Sequence, residues 1–284
     1  MATFYNQASL NVGGRVTNSN VTEGEVSTQV AITKAALTTD YGPDDNIVYM
    51  ITIVNNGASL ADNITLTDNL GAFTIAENQI VPLTYVDDTV KYYINGLIQP
   101  TPTVTEGVPL TISGITVPAG AVATIIYEAR ANEFAPRGEN AYIRNTVTGN
   151  GENVCEDLTA TVDVPTRVES NLTIAKAICP DSLTCGDTVT YTIIIQNTGN
   201  AAVVATDNLT VTDIFNPALN NINVQLNGSQ LTEGTDYEYN EDTGEFTTTN
   251  GTVTVPAATF TRDGTTGVIT TTPGVAVLTI TGNI

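Results

Sequence analysis

The chain has no His and no Trp, and only 9 of its 284 residues are Lys or Arg, against 30 Asp or Glu. Without His, the commonest general base and the commonest metal ligand are both missing. The formal net charge of −21 argues against binding to nucleic acid or to an anionic membrane surface, because too few cations are available to neutralise phosphates. We therefore expect no enzyme activity, no cofactor, no metal and no nucleic-acid partner.

Long apolar runs are also missing. No stretch approaches the roughly 18 residues that a membrane span requires, so we expect no membrane insertion. Residues 1–7 carry neither the basic region nor the apolar region of a signal peptide. Either a signal peptide was removed before residue 1, or the protein is synthesised and used without a classical signal peptide. The retained Met1 favours the second alternative.

The chain is rich in β-branched residues, with 50 Thr, 29 Val and 24 Ile. These side chains are stiff at χ1 and fit a pleated, half-buried surface, so the composition predicts an all-β class. The 23 Gly and 12 Pro supply turns between short strands. At roughly 100–150 residues per domain, the length predicts two domains, each able to bury a core.

An internal repeat gives the organisation of the chain. Five residues of a first copy recur in the same order in a second, as Lys34 and Lys176, Tyr49 and Tyr191, Asn55 and Asn197, Gly57 and Gly199, and Asp68 and Asp213. Each copy consists of short β-branched runs separated by turn signals, which is typical of an immunoglobulin-like β-sandwich. We predict two tandem sandwiches, at residues 29–166 and 167–284, preceded by a separate segment at residues 1–28.

The repeat also carries a family resemblance. VTYTIIIQNTGNAA at residues 189–202, followed by LTVTD at residues 209–213, resembles the bacterial conserved-repeat domain (domain of unknown function eleven) of surface proteins. The resemblance covers nearly the whole chain as two copies. It implies an immunoglobulin-like fold and a surface setting, but no activity.

The two copies end differently. The first continues through residues 145–164, which read as a terminal hairpin, whereas the second stops at Ile284 without an equivalent of residues 129–164. A sandwich that lacks its last two strands has an open sheet edge and an uncovered core. Residues 6–26 resemble residues 145–164, and each segment immediately precedes an Ile-x-Lys strand. We therefore predict that residues 1–28 form a donor hairpin.

Two geometries can use such a hairpin. It can fold back onto the second copy of its own chain, or it can complete the second copy of a neighbouring chain, as in donor-strand complementation. The spacer at residues 27–29 reaches about 10 Å, which favours the neighbour and hence a head-to-tail fibre of identical subunits. The alternative is that residues 1–28 are a disordered leader or an extra edge of the first copy.

A covalent cross-link is implied by a further resemblance. The conserved-repeat domain is similar to Gram-positive pilin and adhesin sandwiches, in which a first-strand Lys bonds to a last-strand Asn beside a carboxylic acid. Carried over to this chain, the resemblance implies a first set and a second set of isopeptide residues, namely Lys34, Asp68 and Asn145, and Lys176, Asp213 and Asn6. The alternative interpretation is of exposed strand lysines and of aspartates that end strands at turns.

The three cysteines allow several states. Cys179 and Cys185 flank a short turn, so they either form a disulfide or remain two reduced thiols. Cys155 is then unpaired, and it is a free thiol or the site of an intermolecular bridge.

The functional expectation is a structural subunit. The repeat, the length and the missing signal peptide resemble the major appendage protein family of anaerobic spore-forming bacteria. This resemblance implies a self-assembling fibre on the spore surface, with an anchoring protein on the spore or cell surface as a further partner. The alternative is a monomeric surface adhesin or cell-wall binding module that presents its loops to a glycan or to a host protein.

Overall fold

The computed structural model describes residues 2–26, 29–154, 156–182, 184 and 186–284. Their regular structure is β, apart from one 3₁₀ turn at Ala205–Asp207, so the predicted all-β class is confirmed. Among these residues no helix is long and apolar enough to cross a membrane. Contacts divide the chain into a first unit, Met1–Pro136 with Tyr142–Pro165, and a second unit, Arg137–Ala141 with Thr166–Ile284.

The chain begins with a long antiparallel hairpin, called here the N-terminal hairpin. Its strands are β1 (Ala2–Asn6), β2 (Ser9–Val12), β3 (Arg15–Asn18) and β4 (Thr22–Val26). β1 pairs with β4 and β2 pairs with β3, so the four short strands form two successive paired segments of one hairpin. Gly13 and Gly14 both have positive φ and close the turn between β2 and β3.

The rest of the first unit is a sandwich of two sheets. Its strands are β5 (Val30–Ala36), β6 (Asn46–Asn55), β7 (Ala61–Asp68), β8 (Phe73–Ile75), β9 (Asn78–Ile80), β10 (Leu83–Tyr85), β11 (Lys91–Ile94), β12 (Leu97–Gln99), β13 (Thr103–Thr105), β14 (Leu110–Val117), β15 (Val122–Ala131), β16 (Tyr142–Glu152) and β17 (Leu158–Pro165). One sheet has the order β12-β11-β15-β6-β5, with β10 also on β15, and the other has the order β13-β14-β7-β16-β17. β8 and β9 form a small separate hairpin.

Alternation along the strands builds the core of the first unit. In β6, Tyr49, Ile51 and Ile53 are buried at every second position, as are Ile64 and Leu66 in β7. Because successive side chains of a strand point to opposite faces, each strand contributes one apolar row. The rows of both sheets join in a single hydrophobic cluster. β17, at the edge of the second sheet, also packs against β5, so this side of the sandwich is covered.

The second unit has a similar plan. Its strands are β18 (Leu172–Cys179), β19 (Thr188–Asn197), β20 (Thr212–Ile214), β21 (Asn220–Leu226), β22 (Ser229–Gln230), β23 (Tyr237–Asn240), β24 (Glu245–Thr248), β25 (Thr259–Arg262), β26 (Ile269–Thr272) and β27 (Gly274–Asn283). One sheet has the order β18-β19-β27-β21-β22, and a three-stranded sheet has the order β20-β24-β23. β25 and β26 form a hairpin, and a second hydrophobic cluster fills this unit.

The two units match strand by strand. The order β5-β6-β15-β11-β12 corresponds to β18-β19-β27-β21-β22, and β7-β14-β13 corresponds to β20-β24-β23. An equivalent set of side-chain hydrogen bonds in both units supports this correspondence. The buried amides of Asn55 and Asn197 each donate to two backbone carbonyls and accept from the N–H of a glycine two residues later. Among the described strands of the second unit, β16 and β17 have no counterpart.

Candidate functional site

A buried ion pair lies at the centre of the first unit. Lys34 is on β5, the first strand of the sandwich, and its Nζ lies 2.5 Å from Oδ2 of Asp68, at the end of β7. The side chains of Lys34 and Asp68 are 0% and 1% exposed. The Leu70 N–H donates to the other carboxylate oxygen of Asp68 at 2.9 Å. The alternative of an exposed strand lysine therefore does not apply to Lys34.

Asn145 completes this group. It lies on β16, which precedes the last strand of the first unit, β17. It is two residues before Val147, which lies opposite Asp68 in the β7–β16 register. The fully buried side chain donates from Nδ2 to the Tyr127 hydroxyl at 3.1 Å, and that hydroxyl donates to Asp68 Oδ2 at 2.6 Å. Asn145 Oδ1 has no hydrogen-bond partner among the described residues. The structure thus brings Lys34, Asp68 and Asn145 together.

Two tyrosines that the sequence-based prediction missed frame the site. The rings of Tyr49 and Tyr127 stack with centroids 5.3 Å apart, and Lys34 Nζ lies 5.0 Å from the Tyr49 centroid and 5.8 Å from the Tyr127 centroid. Side chains alternate between inward and outward positions along β6 and β15. Both tyrosines occupy inward positions and face each other across this strand pair. The alternation would have placed both rings in the core, but the pairing of β6 with β15 decides that they meet.

The electrostatics of the site favour a reactive amine. Burial lowers the pKa of Lys34 from 10.5 to about 8, although the charge and the hydrogen bond of Asp68 act in the opposite direction. Such a shift raises the neutral fraction of the amine at pH 7 by about 300-fold. Burial and the Asp68 charge raise the pKa values of Tyr127 and Tyr49, so both hydroxyls stay protonated. The group can therefore supply a nucleophilic amine, a proton carrier and an amide in one buried space.

The second unit contains half of this arrangement. Lys176 on β18 forms an ion pair with Asp213 on β20, and its Nζ lies 4.5 Å from the Tyr191 centroid and 5.0 Å from the Phe215 centroid. The side chains of Lys176 and Asp213 are 39% and 16% exposed, in contrast to the first unit. Ile280 faces Tyr191 in the β19–β27 register, at the position where Tyr127 faces Tyr49.

The inner face of β18 is uncovered. Leu172, Ile174, Lys176 and Ile178 are alternate residues of this strand, so they share one face, and all four are exposed, Ile174 by 64%. On β5 the corresponding face carries Val30, Ile32, Lys34 and Ala36, which are buried or half-buried. The difference follows from β17, which packs against β5 and has no counterpart beside β18 in the part of the chain that the structure describes.

The N-terminal hairpin presents apolar side chains to solvent. Phe4 on β1 and Leu10 and Val12 on β2 are all more than half exposed. Asn6 lies in the same alternating row, and it pairs with Thr22 across the hairpin as Asn145 pairs with Val162 across β16 and β17. The predicted sixth site residue, Asn6, therefore lies on an exposed strand, and its predicted role beside Lys176 stays a prediction.

The cysteine predictions remain untested. Cys179 is exposed at the end of β18, while Cys155 and Cys185 lie outside the described residues. The predicted Cys179–Cys185 disulfide and the predicted role of Cys155 therefore stay predictions.

No protein-family model matches the chain, and no curated protein matches it. The conserved-repeat resemblance therefore also stays a prediction.

Several solved structures are similar to the chain at low identity. BcpA, the major pilin subunit of Bacillus cereus, is 15% identical over 96% of this chain and 73% of its own, with a TM-score of 0.38. The pilus backbone RrgB from Streptococcus pneumoniae is 13% identical over 86% of this chain, with a TM-score of 0.35, and the chain spans only 55% of its length. The collagen-binding subdomain of the Enterococcus faecalis surface protein ACE is 10% identical over 49% of this chain and 99% of its own, with a TM-score of 0.31. At these identities and TM-scores, only the residues of this chain support the roles proposed below.

Proposed function

We propose that the chain is a structural subunit of an extracellular fibre, in which the N-terminal hairpin of one copy completes the second unit of the next by donor-strand complementation. The observation that carries this proposal is the contrast between β5 and β18. The same strand face is covered by β17 in the first unit and exposed in the second. Exposed apolar faces of this kind are costly in water and mark interaction sites.

The occupant that fits best is a second copy of this chain. Among the described residues, no strands of the second unit occupy the two positions beside β20 that β16 and β17 occupy in the first, and the N-terminal hairpin offers two paired strands. Its alternating row of Phe4, Asn6, Leu10 and Val12 places one amide among apolar side chains. In the first unit, β16 likewise places Asn145 between the buried Ile143 and Val147. Because donor and acceptor surfaces differ, the contact is head-to-tail and propagates into a filament unless it closes a ring.

We also propose a covalent bond between Lys34 and Asn145 inside each subunit. The Lys34 ammonium passes a proton to Asp68 across their 2.5 Å contact, and the neutral amine adds to Cγ of Asn145. Protonated Asp68 can donate to the unpartnered Oδ1 of Asn145 as charge develops there. The new bond joins Lys34 Nζ to Asn145 Cγ and the Cγ–Nδ2 bond breaks. Of the two protons that the ammonium loses, one leaves with Nδ2 as ammonia and the other is released, so that Asp68 ends as a carboxylate. No oxidant or cofactor is needed.

The equivalent bond between subunits would join Asn6 of one copy to Lys176 of the next, beside Asp213. Its surroundings differ, because Ile280 replaces the tyrosine whose hydroxyl holds Asn145 in the first unit. We expect this bond to form more slowly than the one within the first unit. The spore-surface location and the anchoring protein are parts of the proposal that rest on the sequence resemblance.

Negative-stain electron microscopy of the purified full-length chain tests assembly. Leu10→Asp places a charge in the apolar row of β2, whereas Asn11→Asp adds the same charge at the next, opposite-facing position. We expect long uniform fibres from the unaltered chain and from Asn11→Asp, and dispersed particles from Leu10→Asp. Circular dichroism of each variant confirms that the β structure is retained.

Three results would reject the proposal. Dispersed two-lobed particles of the unaltered chain at every concentration would favour the monomeric adhesin or binding module. Fibres that form equally well with Leu10→Asp would show that the hairpin is not the donor. An intact mass that does not change on assembly and matches the unlinked sequence would remove the covalent part.

A further inference from the structure

The free edges of β20 and of β2 have matching hydrogen-bonding directions. The residues that flank β20 bond to the chain at and beside β24. The Val211 carbonyl accepts from the Thr248 N–H, and the Phe215 N–H donates to the Gly244 carbonyl. Backbone groups of alternate residues in an antiparallel strand point to opposite edges, so those of Thr212 and Ile214 point away from β24. β20 is the edge strand of its sheet, and this outer side has no partner strand among the described residues.

In the N-terminal hairpin, the backbone groups around the junction of β1 and β2 also alternate between the paired edge and the free edge. The Ser19 N–H donates to the Ala8 carbonyl, and Ser19 Oγ accepts from the Ala8 N–H, so Ala8 points towards the second strand of the hairpin. The backbone groups of its neighbours, Gln7 and Ser9, therefore point to the free edge. The hairpin can therefore use this free edge, at Gln7 and Ser9, to pair with the edge strand of another sheet.

The first unit shows how such edges pair. In the β7–β16 register, Asp68 lies opposite Val147 and Thr67 opposite Thr148, and the Asn69 N–H donates to the Thr146 carbonyl at 3.0 Å. The repeat places Thr212, Asp213 and Ile214 of the second unit at the positions of Thr67, Asp68 and Asn69. Equating Asn6 with Asn145 places Gln7, Ala8 and Ser9 at the positions of Thr146, Val147 and Thr148.

We infer that the hairpin of one copy joins the β20 edge of the next with Ser9 opposite Thr212 and Ala8 opposite Asp213. This register rests on the proposed donor-strand assembly and specifies its contact. The Ile214 N–H, which donates to Asp213 Oδ1 at 2.9 Å in the chain as described, then donates to the Gln7 carbonyl instead, and Thr212 and Ser9 exchange backbone hydrogen bonds. The three-stranded sheet β20-β24-β23 becomes five-stranded, like its counterpart in the first unit. The same register brings Asn6 to the open face that holds Lys176 and Asp213.

Side-chain sizes across the new pair are compatible with this register. In the first unit, Gly149 lies opposite Leu66, and a Cβ on that glycine would come within 2.8 Å of the Leu66 side chain. At the corresponding positions the docked pair has Leu10 opposite Val211, so the larger residue is on the hairpin and the smaller one is in the acceptor. A shift by two residues in either direction would place Asn6 or Leu10 opposite Asp213.

Cysteine pairs in the full chain can measure the register. In a background with Cys155, Cys179 and Cys185 replaced by Ser, we would combine Thr212→Cys with Ser9→Cys, Gln7→Cys or Asn11→Cys. These four positions are exposed in the chain as described. The paired Cα atoms would be about 5.5 Å apart in the inferred register, which a disulfide tolerates. A two-residue shift increases the separation to about 9 Å, beyond the reach of a disulfide.

Fibres would be assembled from equal amounts of ¹⁴N- and ¹⁵N-labelled chains, oxidised with copper–phenanthroline and analysed by peptide mass spectrometry. We expect linked peptides of mixed label for Ser9→Cys with Thr212→Cys, at least tenfold above the other two pairs. Hydrogen exchange on the unaltered fibre supplies an independent measurement, in which the amides of Thr212 and Ile214 should become protected on assembly.

The outcomes separate the register from the assembly. Fibres in which another pair links best, or in which neither Thr212 nor Ile214 gains protection, overturn the register but leave the fibre intact. Links with only one label per peptide pair show that the hairpin closes its own chain, which overturns docking onto a second copy. No fibres at any concentration means that the proposed function itself fails.

Discussion

The Lys34–Asn145 bond should stabilise the first unit by a measurable amount. A cross-link between these residues closes a loop of about 110 residues, and the loss of chain entropy in the unfolded state is worth about 5 kcal/mol. For a unit of this size, about 5 kcal/mol corresponds to a rise in Tm of about 10–20 °C. The effect acts on the unfolded chain, so it adds to whatever the buried contacts contribute.

The variant Lys34→Met/Asp68→Asn isolates this effect. Lys34→Met alone would leave the buried carboxylate of Asp68 without its cation, so the second change removes that charge at similar volume. Lys91→Met, at an exposed lysine of β11, is the matched control. We expect the unaltered chain and Lys91→Met to weigh about 17 Da less than their sequences for each bond formed, because ammonia leaves. The double variant should lose the Lys34–Asn145 deficit.

Intact mass in denaturant and scanning calorimetry measure the two quantities. Peptides that carry free Lys34 and unmodified Asn145 in the folded, unaltered chain would refute the bond. A bond that is present but changes the first unit's stability by less than about 1 kcal/mol would refute the loop-closure magnitude. Equal mass deficits relative to the two sequences, together with equal Tm values for the double variant and the unaltered chain, would refute both.

Two further predictions concern pH and packing. In Asn145→Ala, Lys34 stays buried and unlinked. Burial lowers its pKa from 10.5 in the unfolded chain to about 8 in the folded chain, so the folded chain loses this proton at lower pH. Between pH 8 and pH 10 the stability of this variant should therefore rise by about 2–3 kcal/mol relative to that of Asn145→Ala/Lys34→Met, measured by guanidinium unfolding. The raised pKa values of the buried tyrosines act in the opposite direction, but they do so in both variants. Asn197→Ala should destabilise the second unit by about 3 kcal/mol in the same assay, because its buried amide serves two carbonyls and two N–H groups. The exposed control Asn220→Ala should stay within about 0.5 kcal/mol of the unaltered chain, and an equal loss in both variants would contradict the assigned role.

The all-β class and the repeat follow from local sequence patterns alone. β-branched residues alternate with polar ones along the strands, and this period of two is a local property that needs no tertiary information. The hairpin at the N-terminus and the hairpin of β16 and β17 could likewise be read from glycine and asparagine turns between alternating runs. The repeat also aligned Lys34 with Lys176 and Asp68 with Asp213, because both copies keep the same strand order.

Tertiary structure decided which of these residues meet and which are buried. Lys34 and Lys176 occupy the same position of the repeat, yet the Lys34 side chain is fully buried and the Lys176 side chain is 39% exposed. The reason is that β17 covers β5 and does not cover β18. The tyrosine that links Asp68 to Asn145 is Tyr127 on β15, and Ile280 occupies its position in the second unit. Burial and cross-strand register depend on contacts between segments far apart in the chain, so local pattern cannot specify them.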